Sequence, residues 1–551
     1  MDYHILVSDN VHQQGLGLLE KQEGFHVDVK TGLSADALKQ IIGTYDGLVI
    51  RSATTVTADL LKFASKLKVI GRAGTGLDNV DVAAATRQGI VVMNTPGGNA
   101  VATAEHTISL IMCAHRHIPQ AVASMKKGKW EKKKFQGREM AGKTLGVIGL
   151  GKVGSIVSKL ASRGLKMNVL GYDPFTTVEA ASQIGAKLAS LQDILSCSDV
   201  ITVHTPLSNE TRGMIDAAAF GKMKEGIVVV NCARGGIIDE TALLDALESG
   251  KVSAAALDVY TSSPPGEHPL VMHPRVVATP HLGASTGEAQ INVAIAVANQ
   301  IIDYLAKGIV RNAVNLPGMD PAKAAKITPY LGLARRLAQF LGLLTPNGII
   351  ELEIEYHGEV ASWDLKPITN SALVGLLSGF EGTEVNQVNA SMIAQARGIR
   401  VSETTLEESE LHGSSLLLRT GTSKGMSHSV QGALIRRIGY EPRIIGIDGF
   451  VTEAVPAGPM LVVNNKDIPG MIAGMSGALA AGGINIAQMN LSRDCVGGMA
   501  MSIINIDAPA DDVTLESIRS IEGIIGVKQV ILDSGAIAGA GADSTCDKVS
   551  L

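Results

Sequence analysis

The feature that most limits the folds open to this chain is a series of short apolar runs that do not alternate with polar residues. From residue 144 they come as 144–149 (TLGVIG), 168–172 (NVLGY), 200–204 (VITVH), 227–231 (IVVVN), 254–258 (AAALD) and 276–279 (VVAT). A strand with one wet face alternates, whereas a strand apolar throughout is covered on both faces. Turn residues and amphipathic stretches separate the runs, so they read as parallel strands joined by crossover helices. An earlier series has the same layout: 3–8 (YHILVS), 47–51 (GLVIR), 68–71 (KVIG) and 90–94 (IVVMN). The expected fold class is α/β, with two doubly wound parallel-sheet units of Rossmann type. A long helix over about 102–125, broken near Pro119, is expected between them.

The character changes at Pro317-Gly318. A helical stretch around 331–344, a strand over 348–356 (GIIELEIEY), a charged segment at 403–410 and a strand-like 416–419 suggest an α+β unit. The stretch 456–459 (PAGP) reads as a linker. Beyond it, 460–464, a helix from about Pro469, 484–492 and 500–506 suggest a compact βαββαβ unit. The tail from Ser534 is small and polar and is expected to be disordered.

A length of 551 residues suits three to four domains. Lys+Arg of 48 against Asp+Glu of 53 leaves a net charge of −5, which disfavours nucleic acid as the main partner. Aromatics at 3% give no stacking platform for single strands. The five cysteines, Cys113, Cys197, Cys232, Cys495 and Cys546, form no CxxC pair, so no zinc ribbon is read and no metal is expected. Their odd, scattered count suits a reduced, cytoplasmic protein. The stretch 469–491 is apolar enough to suggest a membrane span. Gly482-Gly483 and Asn485, Gln488 and Asn490 interrupt it, so a helix, a turn and a strand are expected instead.

The segment Gly149-Leu150-Gly151-Lys152-Val153-Gly154 fits GxGxxG. Alone it is a weak signal; here it follows an apolar strand and opens a helix. Gly149 permits the tight turn, Gly151 lets backbone approach a pyrophosphate, and Gly154 lets helix and strand pack closely. Asp173 ends the next strand, where a carboxylate accepts from ribose hydroxyls and repels a 2′-phosphate, favouring NAD over NADP. A glycine-rich turn with a capping Asp is the plain alternative.

Three more segments sit at predicted strand ends, where open α/β sheets hold ligands. They are Asn231-Cys232-Ala233-Arg234-Gly235-Gly236, Ala256-Leu257-Asp258-Val259-Tyr260 and Pro280-His281-Leu282-Gly283-Ala284-Ser285. Hydroxy-acid oxidation needs a base for the alcohol proton and an Arg fork for the carboxylate. Arg51-Ser52-Ala53-Thr54, Gly71-Arg72-Ala73-Gly74-Thr75-Gly76, Asn94-Thr95-Pro96, Ala104-Glu105-His106-Thr107, Lys129-Trp130-Glu131 and Asn312-Ala313-Val314-Asn315 complete a pattern far more specific than the glycine turn. To about residue 533 the chain resembles the D-2-hydroxyacid dehydrogenases, and among them the long forms that oxidise 3-phospho-D-glycerate to 3-phosphohydroxypyruvate at the start of phosphorylated L-serine synthesis.

The resemblance implies an interleaved layout. A substrate-binding domain takes 1–98 and 283–317, an NAD-binding domain 99–282, an intervening regulatory domain 318–458 and an ACT domain 459–533. It makes His281 the acid/base and Arg234 the group that grips carboxylate and carbonyl. Arg51 and Arg72, with Ser52, bind the substrate phosphate, and the Gly74-Thr75-Gly76 backbone lines the carboxylate side. Thr75, Thr205, Cys232, Ala233, Asp258, Gly283 and Ala284 line the cofactor beside the glycine turn. Lys132, in the basic run 126–134, is expected to reach a neighbour's active site across a dimer interface. Asp467, Pro469 and Gly470 would open an amino-acid site, with Asn485 from a neighbouring chain, which makes L-serine the expected effector of a homodimer or homotetramer. A module used only for oligomerisation is the alternative there.

One position departs from the family. Ser263 stands where members carry a Glu that pairs with the His, so the His partner has no charge. His281 acts alone with a lowered pKa, Glu267 replaces the partner, or activity is impaired. The readings that stay open are another 2-hydroxy acid, with 2-oxoglutarate reduction included, and an impaired serine-sensing paralogue.

Overall fold

The structure is a computed structural model that describes residues 2–316, 321–345, 348–378, 385–407, 413–436 and 440–532. The tail from Ser534 lies outside the described residues.

Five parallel strands make the first sheet: β1 (Tyr3–Val7), β2 (Phe25–Val29), β3 (Gly47–Ile50), β4 (Val69–Arg72) and β5 (Val91–Asn94), in the order β2-β1-β3-β4-β5. Seven parallel strands make the second: β6 (Thr144–Ile148), β7 (Asn168–Tyr172), β8 (Lys187–Leu188), β9 (Val200–Val203), β10 (Ile227–Asn231), β11 (Val252–Leu257) and β12 (Val276–Ala278), in the order β12-β11-β10-β9-β6-β7-β8. Every residue of β9 and β10 is buried, as the unbroken apolar runs require. Strand order reverses between β1 and β3 in one sheet and between β6 and β9 in the other, with every strand still parallel. Both reversals open a crevice at the carboxyl ends of the strands, and that is where the candidate residues lie.

The long helix Gly287–Lys307 returns to the first sheet. Its Val293, Ala294, Val297, Ala298 and Ile301 share a core with Ile5, Val7, Val49 and Val91. Gly71 makes the approach: a Cβ there would stand 2.6 Å from Val297 Cγ2. Beyond the helix, Ala313 bridges Met93 of β5. The helix expected over 102–125 is two helices, Ala100–Arg116 and Ile118–Lys126. The break is His117 at φ 51°, and Pro119 falls in the first turn of the second helix, where its missing N–H costs nothing.

The third sheet has β13 (Ile349–Gly358), β14 (Arg400–Leu406), β15 (Ser414–Thr422), β16 (Gly425–Arg436), β17 (Tyr440–Ile447) and β18 (Phe450–Ala454), in the order β14-β13-β15-β16-β17-β18. The fourth is antiparallel, β19 (Gly458–Lys466), β20 (Ile486–Arg493), β21 (Met499–Ile506) and β22 (Ile524–Leu532), ordered β20-β21-β19-β22. Helix Met471–Ala481 and strand β20 occupy the apolar stretch 469–491, and among the described residues no helix is long and apolar enough to cross a membrane. The linker is shorter than expected, since Gly458 and Pro459 already pair with β22. Met460, Val462, Ile503 and Val530 of the fourth sheet join one core with Leu337, Phe340 and Leu352 of the third unit. The last two units therefore share a buried face rather than hang on a tether.

Asp9, just beyond β1, is 3% exposed. Its carboxylate accepts from the N–H groups of Arg51 (2.6 Å), Ala53 (3.2 Å) and Thr54 (3.1 Å), and from Thr54 Oγ1 (2.6 Å). It fixes the turn that carries Arg51. Asp9→Ala strands those donors and is expected to destabilise this unit by about 2–4 kcal/mol, read as a lowered first transition in denaturant unfolding.

Candidate active site

The glycine turn follows β6 at the switch point. Gly149 sits at φ 94°, and a Cβ on it would meet His204 C at 2.8 Å and Thr205 Cγ2 at 3.0 Å. A Cβ on Gly154 would stand 1.9 Å from Gly149 O, so only glycine lets helix Lys152–Lys159 start here. Gly151 caps that helix with no side-chain hydrogen bond, and nothing lies within 4 Å of where its Cβ would be. The free N–H groups and open space suit a pyrophosphate. Thr205, after β9, packs its methyl against the same turn, and its hydroxyl is buried with no partner among the described residues. Asp173 accepts from Leu150 N (2.8 Å) and Phe175 N (2.9 Å), so it holds the turn and sets a negative charge where a 2′-phosphate would lie. These features fit NAD.

The other expected cofactor residues have more specific tasks. Lys152 reaches away from the turn, its Nζ donating to Pro96 O at 2.8 Å, and ties the nucleotide helix to the end of the first sheet. Val153 packs on the core beneath. Cys232 is buried, and burial pushes its thiol up to about 12, so it stays neutral. Ala233 N donates to Asn231 Oδ1 at 3.0 Å. Ala284 is half-buried beside Gly283. Thr75 Oγ1 donates to Asn99 Oδ1 at 2.9 Å, at the seam between the two units.

Asp258 is fully buried and builds the turn that carries His281. It accepts from Thr279 Oγ1 (2.6 Å), Leu282 N (2.7 Å) and Gly283 N (2.8 Å), and His106 Nε2 lies 3.2 Å away. Burial alone would raise its pKa; hydrogen bonds from His106, Thr279, Leu282 and Gly283 outweigh burial and hold it low. His281 stands on this turn at φ 57°, a left-handed backbone that a non-glycine residue keeps only where its surroundings impose it.

Arg51, Arg72 and Arg234 converge opposite. Arg51 follows β3 and donates through Nη1 to Asn10 O at 2.9 Å. Arg72 ends β4 and folds over Gly74, where a Cβ would stand 1.8 Å from its Nη1. Its Nε is buried without a partner, and its pKa is lowered by burial and by Arg234 and Arg51. Arg234 is pinned at two nitrogens, Nε to Asp78 Oδ2 (2.9 Å) and Nη1 to Ala233 O (2.7 Å). Its Nη2 lies over Gly76. Three guanidinium groups, one with an orphaned donor and one ion-paired to Asp78, make a cationic pocket. Ser52 is exposed on the adjoining turn. Asp78 was not anticipated: it sits in the stretch 77–80, with no pattern to separate it from any polar turn residue.

No carboxylate bonds to the His281 imidazole among the described residues. Glu267 is exposed and has no hydrogen bond or ion pair among the described residues. The loop that holds Ser263 is tied instead through Thr261, whose N–H and Oγ1 donate to Glu240 Oε1 at 2.7 and 2.9 Å. His281 is exposed, but the protein around it still desolvates its imidazole and lowers its pKa; Arg234 and Arg72 lower it further, against Asp258 and Asp78.

Lys132 lies exposed in the short turn Lys132–Phe135, with no ion pair to this cluster among the described residues. Asp467, Pro469 and Gly470 line a cavity of about 760 Å³ in the fourth unit. Arg493, which was not anticipated, also lines it and pairs with Asp467 at 3.0 Å. Asn485 is not among those lining residues; it donates to Asp507 Oδ2 at 2.8 Å. Among the described residues no group of three His, Cys, Asp or Glu could hold a metal ion.

Residues 108–283 match the model of the D-isomer specific 2-hydroxyacid dehydrogenase NAD binding domain, and 326–448 match that of the D-3-phosphoglycerate dehydrogenase intervening domain. The chain is 42% identical over 532 residues to the D-3-phosphoglycerate dehydrogenase of Archaeoglobus fulgidus, covering 96% of this chain and 100% of that one. It belongs to the D-3-phosphoglycerate dehydrogenase family. The D-3-phosphoglycerate dehydrogenase of Synechocystis is 44% identical over 521 residues, with 94% and 93% covered. A holo D-mandelate dehydrogenase from Rhodotorula graminis superposes on 58% of this chain and 99% of its own, with a TM-score of 0.54 and 26% identity. The family's NAD-binding domain thus spans the switch point of the second sheet.

Gly154→Ala is expected to weaken NAD binding about tenfold or more, since relieving the overlap shifts the helix start at a cost of about 1–3 kcal/mol. Calorimetric titration of NAD, beside an unchanged far-UV spectrum, checks it.

Proposed function

We propose that the chain is an NAD-dependent oxidoreductase that converts 3-phospho-D-glycerate to 3-phosphohydroxypyruvate, the entry reaction of phosphorylated L-serine synthesis. The observation that carries this reading is the convergence of Arg51 and Arg72, at the carboxyl ends of first-sheet strands, with Arg234 and His281, at the carboxyl ends of second-sheet strands. A substrate with a carboxylate at one end and a phosphate at the other needs two separated cationic holds. Arg234, fixed by Asp78 and Ala233, takes the carboxylate and polarises the carbonyl as it forms. Arg72, with its unpartnered Nε, and Arg51 take the phosphate, beside Ser52 and the Gly74 backbone. Lys132 from a second subunit adds to that attraction.

His281 takes the hydroxyl proton in the oxidative direction and returns it in the reverse one. Asp258 acts at one remove by holding the turn. Bound NAD supplies the hydride acceptor. The residues expected to hold it are Thr75, Gly149, Gly151, Lys152, Val153, Gly154, Asp173, Thr205, Cys232, Ala233, Asp258, Gly283 and Ala284. The interleaved domain boundaries are part of the same reading. So are a cytoplasmic homodimer or homotetramer and an ACT unit that takes L-serine at Asp467, Pro469 and Gly470, with Asn485 of a neighbouring chain.

Only neutral imidazole accepts a proton, so oxidation is expected above the His281 pKa and lost as pH falls through it. That pKa is lowered from 6.5, so the acid limb of kcat/KM is expected below 6.5. A limb at or above that value contradicts the solitary-histidine site, and His281→Ala is expected to abolish NADH formation. Arg72→Met is expected to raise KM for 3-phosphoglycerate about 10–100-fold. It should change turnover of an unphosphorylated 2-hydroxy acid little; an equal loss on both would remove the phosphate assignment.

A further inference from the structure

A cavity of about 880 Å³ lies where the intervening unit meets the first sheet's unit. None of the residues assigned above lines it. Its intervening wall is helix Lys366–Leu377, helix Ala390–Ala396 and edge strand β14; its other wall has Thr86 and Asn315.

Two opposite charges face this space. Lys366 opens its helix and is exposed, and its ammonium has no ion pair among the described residues. Thr369 is three residues on, one turn along the same face, about 5–6 Å away between Cβ atoms. Its hydroxyl donates to Glu403 Oε1 on β14 and pairs with Tyr356 Oη at 2.7 Å. Glu403 is thus held by a side chain one helical turn along from Lys366, and among the described residues no ion pair joins Glu403 and Lys366. One carboxylate oxygen is fixed by Thr369 and no other bond is made to the group among the described residues. An unpaired cation and a half-used carboxylate across an open cavity complement a molecule that carries both charges itself. The rest of the wall sets its third property. Leu373, one turn beyond Thr369, joins Val388, Ile399 and Val401 in an apolar side.

We propose that this cavity binds a free α-amino acid with an apolar side chain, its carboxylate on Lys366 and its ammonium on Glu403. The site is separate from the Asp467 cavity and shares no lining residue with it. It touches Asn315, whose Nδ2 donates to Thr86 Oγ1 and Ile90 O, and whose Oδ1 accepts from Val92 N, each at 2.9 Å. Its occupant therefore sits against the residue that clamps β5.

The test is calorimetric titration of the full chain with L-leucine. Leucinamide, which lacks the carboxylate, and 4-methylpentanoate, which lacks the ammonium, serve as controls. The expected result is saturable L-leucine binding with Kd below about 1 mM and no saturable heat from either control. Lys366→Met and Glu403→Gln should each weaken it about tenfold or more, with thermal midpoints unchanged. Asp467→Ala should leave it intact. Absence of saturable L-leucine binding overturns the proposal. So does binding that both cavity variants leave untouched, binding lost in Asp467→Ala, or equal binding of either control. If a cavity variant is thermally destabilised, the two controls on the unaltered chain decide the matter.

Discussion

Two buried carboxylates hold the cleft. Asp9 gathers four donors from the turn after β3, and Asp258 gathers three from the turn after β12. Neither faces solvent. A buried carboxylate is costly unless fully paired, and here the pairing is with turn backbone and short hydroxyls, joined at Asp258 by the His106 ring. The consequence is directional. One carboxylate sets where Arg51 begins, and the other sets where His281 stands. The two turns come from different sheets, so the cleft's chemistry depends on two separate pieces of buried electrostatics.

Charge balance in the cleft follows from that arrangement. Three arginines approach one another, and Asp78 is the acid that bonds one of them directly. Asp9 lies near but its oxygens are spent on the turn. The net local potential is therefore positive, which attracts a polyanionic substrate and also lowers the His281 pKa. In the family pattern a Glu offsets this at the position of Ser263. Here partial desolvation and the arginines act on the imidazole, with no carboxylate bonded to it among the described residues. A histidine that stays neutral at lower pH is a better-populated base and a weaker one.

Much of this was legible in the order of residues. Apolar runs without alternation showed both parallel sheets, because burial on two faces removes every polar position. The glycine turn was readable because Gly149, Gly151 and Gly154 each have a separate task; the structure shows the close contacts at Gly149 and Gly154 and open space at Gly151. Asp258 was placed at the right strand end, but its bonds to the His281 turn were not legible, since its partners lie 21 to 25 residues away. Asp78 pairs with Arg234 across 156 residues, and no local spacing encodes such a contact. The shared core of the last two units was hidden for a related reason. Either face of a half-buried β-strand looks alike in sequence, and only packing shows that β19 and β21 give one face to their own helices and the other to the intervening unit.

That shared core bears on how the chain's ends communicate. The fourth unit is joined to the intervening unit by buried side chains. The intervening unit in turn meets the first unit at Asn386, whose Nδ2 donates to Gly89 O at 2.9 Å, and at Val388, which is buried in the first unit's core. Gly89 precedes β5, and β5 ends at Asn94, whose Nδ2 donates to Thr75 O at 2.6 Å. Each step is a packed or hydrogen-bonded contact rather than a flexible tether. A displacement in the C-terminal sheet thus has solid material to act through as far as the Gly74-Thr75-Gly76 loop. Such continuity is necessary for coupling, and coupling itself requires that some element in the path have two arrangements. The best-placed candidate is the seam at Gly89 and Asn386. It is narrow and polar, and a Cβ on Gly89 would lie 2.1 Å from Asn386 Nδ2, so the contact exists only because glycine leaves the space.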